Sequence, residues 1–176
     1  PLNSVSLLLN FKFSDMKTLA TLITLFIVGT FCHSQIDSRG GVLLRSTRQV
    51  EDAKNTYAVI IGVSEYRDSL ISDLQFAHVD ARMFYQYLRS MEGGSVAESN
   101  IRLLLNEKAT LAAIDDALYW IRQVAKKGDK VYFYFSGHGD VENQTLWELG
   151  YLLAHDTPFG RYRNNAIRLE DINTLI

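Results

Sequence analysis

A chain of 176 residues, 47% of them hydrophobic and only 2 of them Pro, can bury one sizeable core, and that excludes both a disordered chain and a multidomain one. Its 18 Lys and Arg stand against 20 Asp and Glu, a net charge of -2. No basic cluster or aromatic-interleaved stripe of Lys and Arg breaks that balance, so a nucleic-acid partner is excluded and peptide, protein or small-molecule partners are left.

The first residues, "PLNSVSLLLNFKFSD" over 1–15, precede the first methionine and are set apart as an upstream or non-native segment. From Met16 the text reads "MKTLATLITLFIVGTFCHSQ": one Lys, an uncharged apolar run from Leu19 to Phe31, then small or polar residues. That layout predicts a secretory signal peptide over 16–34, cleaved after Ser34, and export to an extracellular or periplasmic space. The run is shorter than the roughly 20 residues a spanning helix needs, so no retained membrane span is expected. Bulky Phe31 argues against a lipid anchor at Cys32. Cys32 is the only cysteine and lies in the segment expected to be removed, so the mature part is no disulfide scaffold. Residues 35–54 are polar without a clear period and read as a lead-in segment.

The domain is expected over 55–176. "YAVIIGV", Tyr57 to Val63, is a continuous apolar, β-branched run that suits a strand buried on both faces. Leu74, Ala77, Ala81, Phe84 and Leu88 then recur at helical spacing, and "EGGS" stops that helix. "NIRLLLN", Asn100 to Asn106, is a second strand. Thr110 caps a second helix whose apolar face is Leu111, Ile114, Leu118, Ile121 and Ala125, closed by Lys126, Lys127 and Gly128. "DKVYFYFS" is a third strand, "GYLLAHD" a short strand or hairpin arm, and "IRLEDINTLI" opens a helix. The sequence stops inside that helix and reads as incomplete at its C-terminus. Strands alternating with helices predict an α/β fold, a mostly parallel sheet with helices on both faces. In such a sheet ligands bind outside the carboxyl ends of the strands, where Gly137, His138 and Gly139 are expected to sit.

Two glycines around a histidine let another chain approach closely, and histidine is the side chain that exchanges protons near neutrality. The same three residues also suit a plain tight turn with a bystander histidine. Ser136 is adjacent, but Tyr134, Phe135 and Gly137 do not make the Gly-x-Ser-x-Gly elbow of a serine hydrolase, which leaves that reading the weakest. His78, His138 and His155 are scattered without paired spacing, so no metal site and no cofactor is expected. His78 is read as a surface or packing residue on the first helix and His155 as structural. Asn143-Gln144-Thr145 fits a glycosylation sequon.

"YAVIIGVSEY", "FAHVDARMFYQYL", "IRLLLNEKAT" and "DKVYFYFSGHGD", with "GYLLAHDT" and "AIRLEDINTLI" after them, resemble the caspase-like cysteine peptidases: caspases, metacaspases and their bacterial relatives. The resemblance spans Tyr57 to Ile176, and "YFSGHGD" is its most specific piece. It implies a caspase-like three-layer sandwich and a cysteine-type endopeptidase acting on peptide or protein substrates through a Cys-His dyad. His138 matches the family's histidine, and the N–H of Gly139 would serve the oxyanion hole. No cysteine follows His138 in this sequence. In caspases the nucleophile lies about 50 residues beyond the histidine, which places it near ~188 and past Ile176. The sheet is thus expected to end before its nucleophile strand, and the 176 residues alone to be inactive. A non-catalytic caspase-like module that binds peptides or proteins fits the same text. Glu65, Arg67 and Asp68 fall where some members build a specificity pocket, and the choice between acidic and basic substrates stays open, as does calcium dependence.

Overall fold

The computed structural model describes residues 2–12, 55–141 and 149–173. The expected signal peptide at 16–34 with Cys32, the lead-in segment at 35–54 and the sequon at Asn143 lie outside the described residues.

Six strands form one sheet: β1 (Asn3–Lys12), β2 (Thr56–Gly62), β3 (Ile101–Leu105), β4 (Lys130–Val141), β5 (Gly150–Leu152) and β6 (Ile167–Arg168). Its order is β3-β2-β4-β5-β6, with β1 on the other edge of β4. β2 runs parallel to both β3 and β4, while β1, β5 and β6 pair antiparallel. The sheet is therefore mixed, with a parallel centre and antiparallel flanks.

β2 shows why the layers form. Ala58, Val59, Ile60 and Ile61 are all fully buried, and successive side chains point to opposite faces. Ala58 and Ile60 join Ala81 and Leu88 on one face. Those two belong to helix α1 (Ala77–Arg89). Val59, Ile61 and Val63 join Ile114, Ala117 and Ile121 on the other, from helix α2 (Leu111–Val124). Each such buried aliphatic side chain contributes about 1.5–3 kcal/mol, so a continuous apolar strand is stable only between two covering layers. Thr110 Oγ1 accepts the N–H of Ala113 at 3.2 Å and starts α2 as its sequence requires. Leu74 precedes α1 rather than lying on it; its N–H donates to the Ser64 carbonyl at 2.8 Å.

α1 crosses β2 in close contact at Gly62. A Cβ on Gly62 would stand 2.6 Å from Ala81 Cβ and 2.7 Å from the Ala77 carbonyl oxygen, so only glycine lets this helix seat here. That seat fixes the loop between them, residues 63–76, over the end of β4. A short helix α3 (Leu169–Asn173) follows β6.

Two further features differ from the sequence reading. Residues 3–12, set apart there from the domain, pair with β4 along its length, from Asn3 opposite Gly139 to Lys12 opposite Lys130. Gly-His-Gly does not form a turn after the third strand; it lies inside β4. β2 pairs with β4 only as far as Ser136, and β5 takes over the same edge from Gly139 onward. The carboxyl end of the parallel sheet thus falls at Ser136, immediately before the glycine-flanked histidine.

Candidate active site

His138 is 3% exposed, and loop 63–76 holds it. Its Nε2 lies 2.8 Å from the carbonyl oxygen of Ser72. A carbonyl only accepts, so Nε2 carries the proton, and in the neutral ring Nδ1 is left with its lone pair. Nδ1 is buried and has no hydrogen-bond partner among the described residues. A buried acceptor left bare is costly, and its lone pair could take a proton from a donor placed beside it.

The main chain of His138 is held as firmly. Its N–H donates to Tyr66 Oη at 2.7 Å, and its carbonyl accepts the N–H of Leu153 at 2.9 Å. The Tyr66 ring packs against the imidazole, centroids 5.2 Å apart at 40°. Burial, first, and the charge of Asp73 push the Tyr66 hydroxyl well above its ordinary range, against the opposing effect of the His138 N–H. Tyr66 is therefore a neutral phenol and a steady acceptor. A Cβ on Gly137 would meet Phe135 Cζ at 2.8 Å and Tyr66 Oη at 3.0 Å, so the first glycine of the triplet makes room for this phenol.

Both main-chain groups of His138 face the β2 and β5 edge, so in a regular strand those of Gly137 and Gly139 face the opposite edge, where β1 lies. The pairs Val5 with Gly137 and Asn3 with Gly139 are then hydrogen-bonded ones. Ser4 with His138 and Ser6 with Ser136 are non-bonded pairs whose side chains stand closest. Ser6 Oγ and Ser136 Oγ are 3.2 Å apart, as this predicts. A Cβ on Gly139 would lie 2.9 Å from Val5 Cγ2.

The remaining sequence candidates hold structure. Ser136 is 3% exposed and its hydroxyl meets Ser6 rather than an imidazole nitrogen. Ser64 Oγ accepts the N–H of His78 at 3.0 Å and lies 2.7 Å from His78 Nδ1, so the pair ties α1 to the start of loop 63–76. His155 Nδ1 donates to the Glu65 carbonyl at 2.7 Å, and the His155 carbonyl accepts the N–H of Arg67 at 2.9 Å. Glu65 Oε1 accepts from Asn106 Nδ2 at 3.1 Å. The Asp68 carboxylate accepts the N–H groups of Leu70 and Phe159 at 3.0 and 2.9 Å. The acids of the loop are thus engaged in building it. Among the described residues no three His, Cys, Asp or Glu side chains stand close enough to share a metal ion, and no helix is long and apolar enough to cross a membrane.

Tyr66, Ser72 and Asp73 were not singled out from the sequence. Two of them act through main-chain geometry or a 72-residue contact that no local pattern announces.

A family model described as the caspase domain matches residues 55–176. A probable protease of a Desulfuromonadales bacterium is 32% identical over 97 residues, covering 47% of this chain. The chain spans 12% of that relative's own length. With the match running from the residue before β2 to Ile176, the chain belongs to the caspase-domain peptidase family.

Proposed function

We propose that this domain supplies the histidine half of a Cys-His dyad in an exported cysteine endopeptidase. The observation that carries the reading is the state of His138: Nε2–H held by the Ser72 carbonyl, Nδ1 bare and buried in a glycine-flanked strand. A thiol placed against Nδ1 loses its proton to it, and the thiolate sulfur bonds to the scissile carbonyl carbon. The C–N bond then breaks and the departing amine takes that proton back from Nδ1. Water repeats the exchange to release the acyl group. The N–H of Gly139 is suited to the oxyanion of the tetrahedral species.

The thiol comes from outside the described residues, on a strand expected about 50 residues after His138. The outer edge of β4 offers a position for it, since a residue placed there would pair with His138 as Ser4 does. On this reading β1 leaves that edge before the site works.

The test is hydrolysis of a mixed peptide library by the complete gene product. His138→Ala is expected to lower the rate by 10²–10⁴-fold, the span of a lost acid–base group, and iodoacetamide to abolish it. Hydrolysis that survives both treatments would sink the proposal.

A further inference from the structure

The loop that sets the state of His138 is itself folded by two residues with no assigned role. Tyr66 reaches His138 in two ways, accepting its N–H at 2.7 Å and covering its ring. The N–H of Tyr66 in turn donates to Asp73 Oδ1 at 3.0 Å. Asp73 is the neighbour of Ser72, whose carbonyl oxygen receives Nε2–H. One turn of chain, Tyr66 to Asp73, therefore carries the main-chain acceptor, the ring contact and the carbonyl that together decide which imidazole nitrogen is free.

The geometry points to Tyr66 as the positioning residue of this site, with Asp73 as the clasp that closes its turn and presents the Ser72 carbonyl. The inference rests on reading His138 as the acid–base group. A histidine that changed tautomer would offer Nδ1–H, a donor, where the dyad needs an acceptor, and one whose ring rotated would carry Nδ1 away from that place. Each free rotation is removed here by a contact that Tyr66 makes or Asp73 supports. Tyr66 is 8% exposed and its hydroxyl is out of its ionising range at neutral pH, which suits a fixed acceptor.

The experiment is carried out on the 176-residue chain with ¹⁵N-labelled histidine, reading the His138 tautomer from two-bond nitrogen–proton correlations and the His138 amide from hydrogen exchange. The parent chain is expected to show one neutral tautomer, protonated at Nε2. Tyr66→Phe keeps the ring and removes the acceptor. It is expected to raise His138 amide exchange by about 10-fold or more, the effect of orphaning a buried donor, and to give a mixture of tautomers. Asp73→Ala, at an exposed position, is expected to give the same mixture, and Asp73→Asn, which keeps Oδ1, to restore the single tautomer. Variants that keep the parent tautomer, whether or not their melting temperature falls, would show Tyr66 to be a packing residue and overturn the inference. These readouts need no turnover, so a failed inference and a failed dyad are told apart: the first leaves the tautomer unmoved, the second leaves hydrolysis intact in His138→Ala.

Discussion

Two N–H groups converge on the carboxylate of Asp68, those of Leu70 within its own turn and of Phe159, 91 residues along the chain. Both favour the charged form and hold Asp68 below the usual carboxylate range, the Phe159 contribution being the larger. The side chain is half-buried, and what it supplies is the docking of loop 63–76 on the segment around Phe159 rather than bulk stability. Its sign is fixed by the direction of the shift. A carboxyl whose folded value is depressed stabilises the fold above its unfolded value, about 3.9, and that contribution is lost as pH falls through the lower folded value. Amide exchange at Phe159 is therefore expected to stay slow through neutral pH and to accelerate only in strong acid. In Asp68→Ala it should be fast throughout. Equal, pH-independent protection in the two proteins would show that Phe159 is held by something else. The same loop carries Tyr66 and Ser72, so a residue distant from His138 in sequence contributes to how well its imidazole is framed.

Among the elements, β1 is held chiefly by its ladder with β4. Leu2, Val5, Leu7 and Leu9 pack against the core only in part, and Leu8 is 49% exposed, whereas β2 is sealed on both faces. β1 lies on an edge and reaches β2 only through residues 13–54, so few contacts bind it besides its ladder with β4. Elements of that kind open locally at a fraction of the global free energy. Leu7 sits opposite Phe135 in a hydrogen-bonded pair, and Leu7→Pro deletes that donor and breaks the ladder at its middle. Amide exchange at Gly137 and Gly139 is expected to rise sharply while Val59, Ile60 and Ile61 keep their protection, with a melting temperature lowered by only a few degrees, about 2–4 °C for each kcal/mol lost in a chain of this size. If the Gly139 and Ile60 amides accelerate together, β1 is integral to the sheet and the edge it covers cannot be vacated for a nucleophile.

For the whole molecule, what could be read ahead of the structure was whatever depends on neighbours within about four residues. The apolar run of β2, the helical spacing of Ala77, Ala81 and Leu88, and the Thr110 cap are each written locally, and they order the central layers correctly. His138 was legible for a different reason, since its glycine neighbours have no use in an ordinary strand. Pairings that depend on distant partners were not legible. β1 meets β4 across more than 100 residues, the Gly-His-Gly stretch stays extended between β1 on one edge and the returning β5 on the other, and Tyr66 joins the site by a side chain that crosses from another loop.

The tyrosines that lock these layers together make one further property collective. Burial is the main cause that raises the hydroxyls of Tyr66, Tyr134 and Tyr162, with Asp80 adding to the second and Asp140 and Asp68 to the third. Each is an acid whose neutral form the fold prefers, so its contribution is complete below the unfolded value of about 10 and is lost as pH rises beyond it toward the folded one. Because Tyr66 frames His138, Tyr134 stacks on Phe84 with centroids 4.9 Å apart and Tyr162 packs against Tyr151, ionising them requires both faces of the sheet to open. Alkaline titration followed by tyrosinate absorbance and near-ultraviolet circular dichroism is expected to show a last group of tyrosines ionising only as the dichroism collapses. Complete ionisation while the dichroism persists would mean that these phenols reach solvent without unfolding, and that the packing around His138 yields more readily than its burial implies.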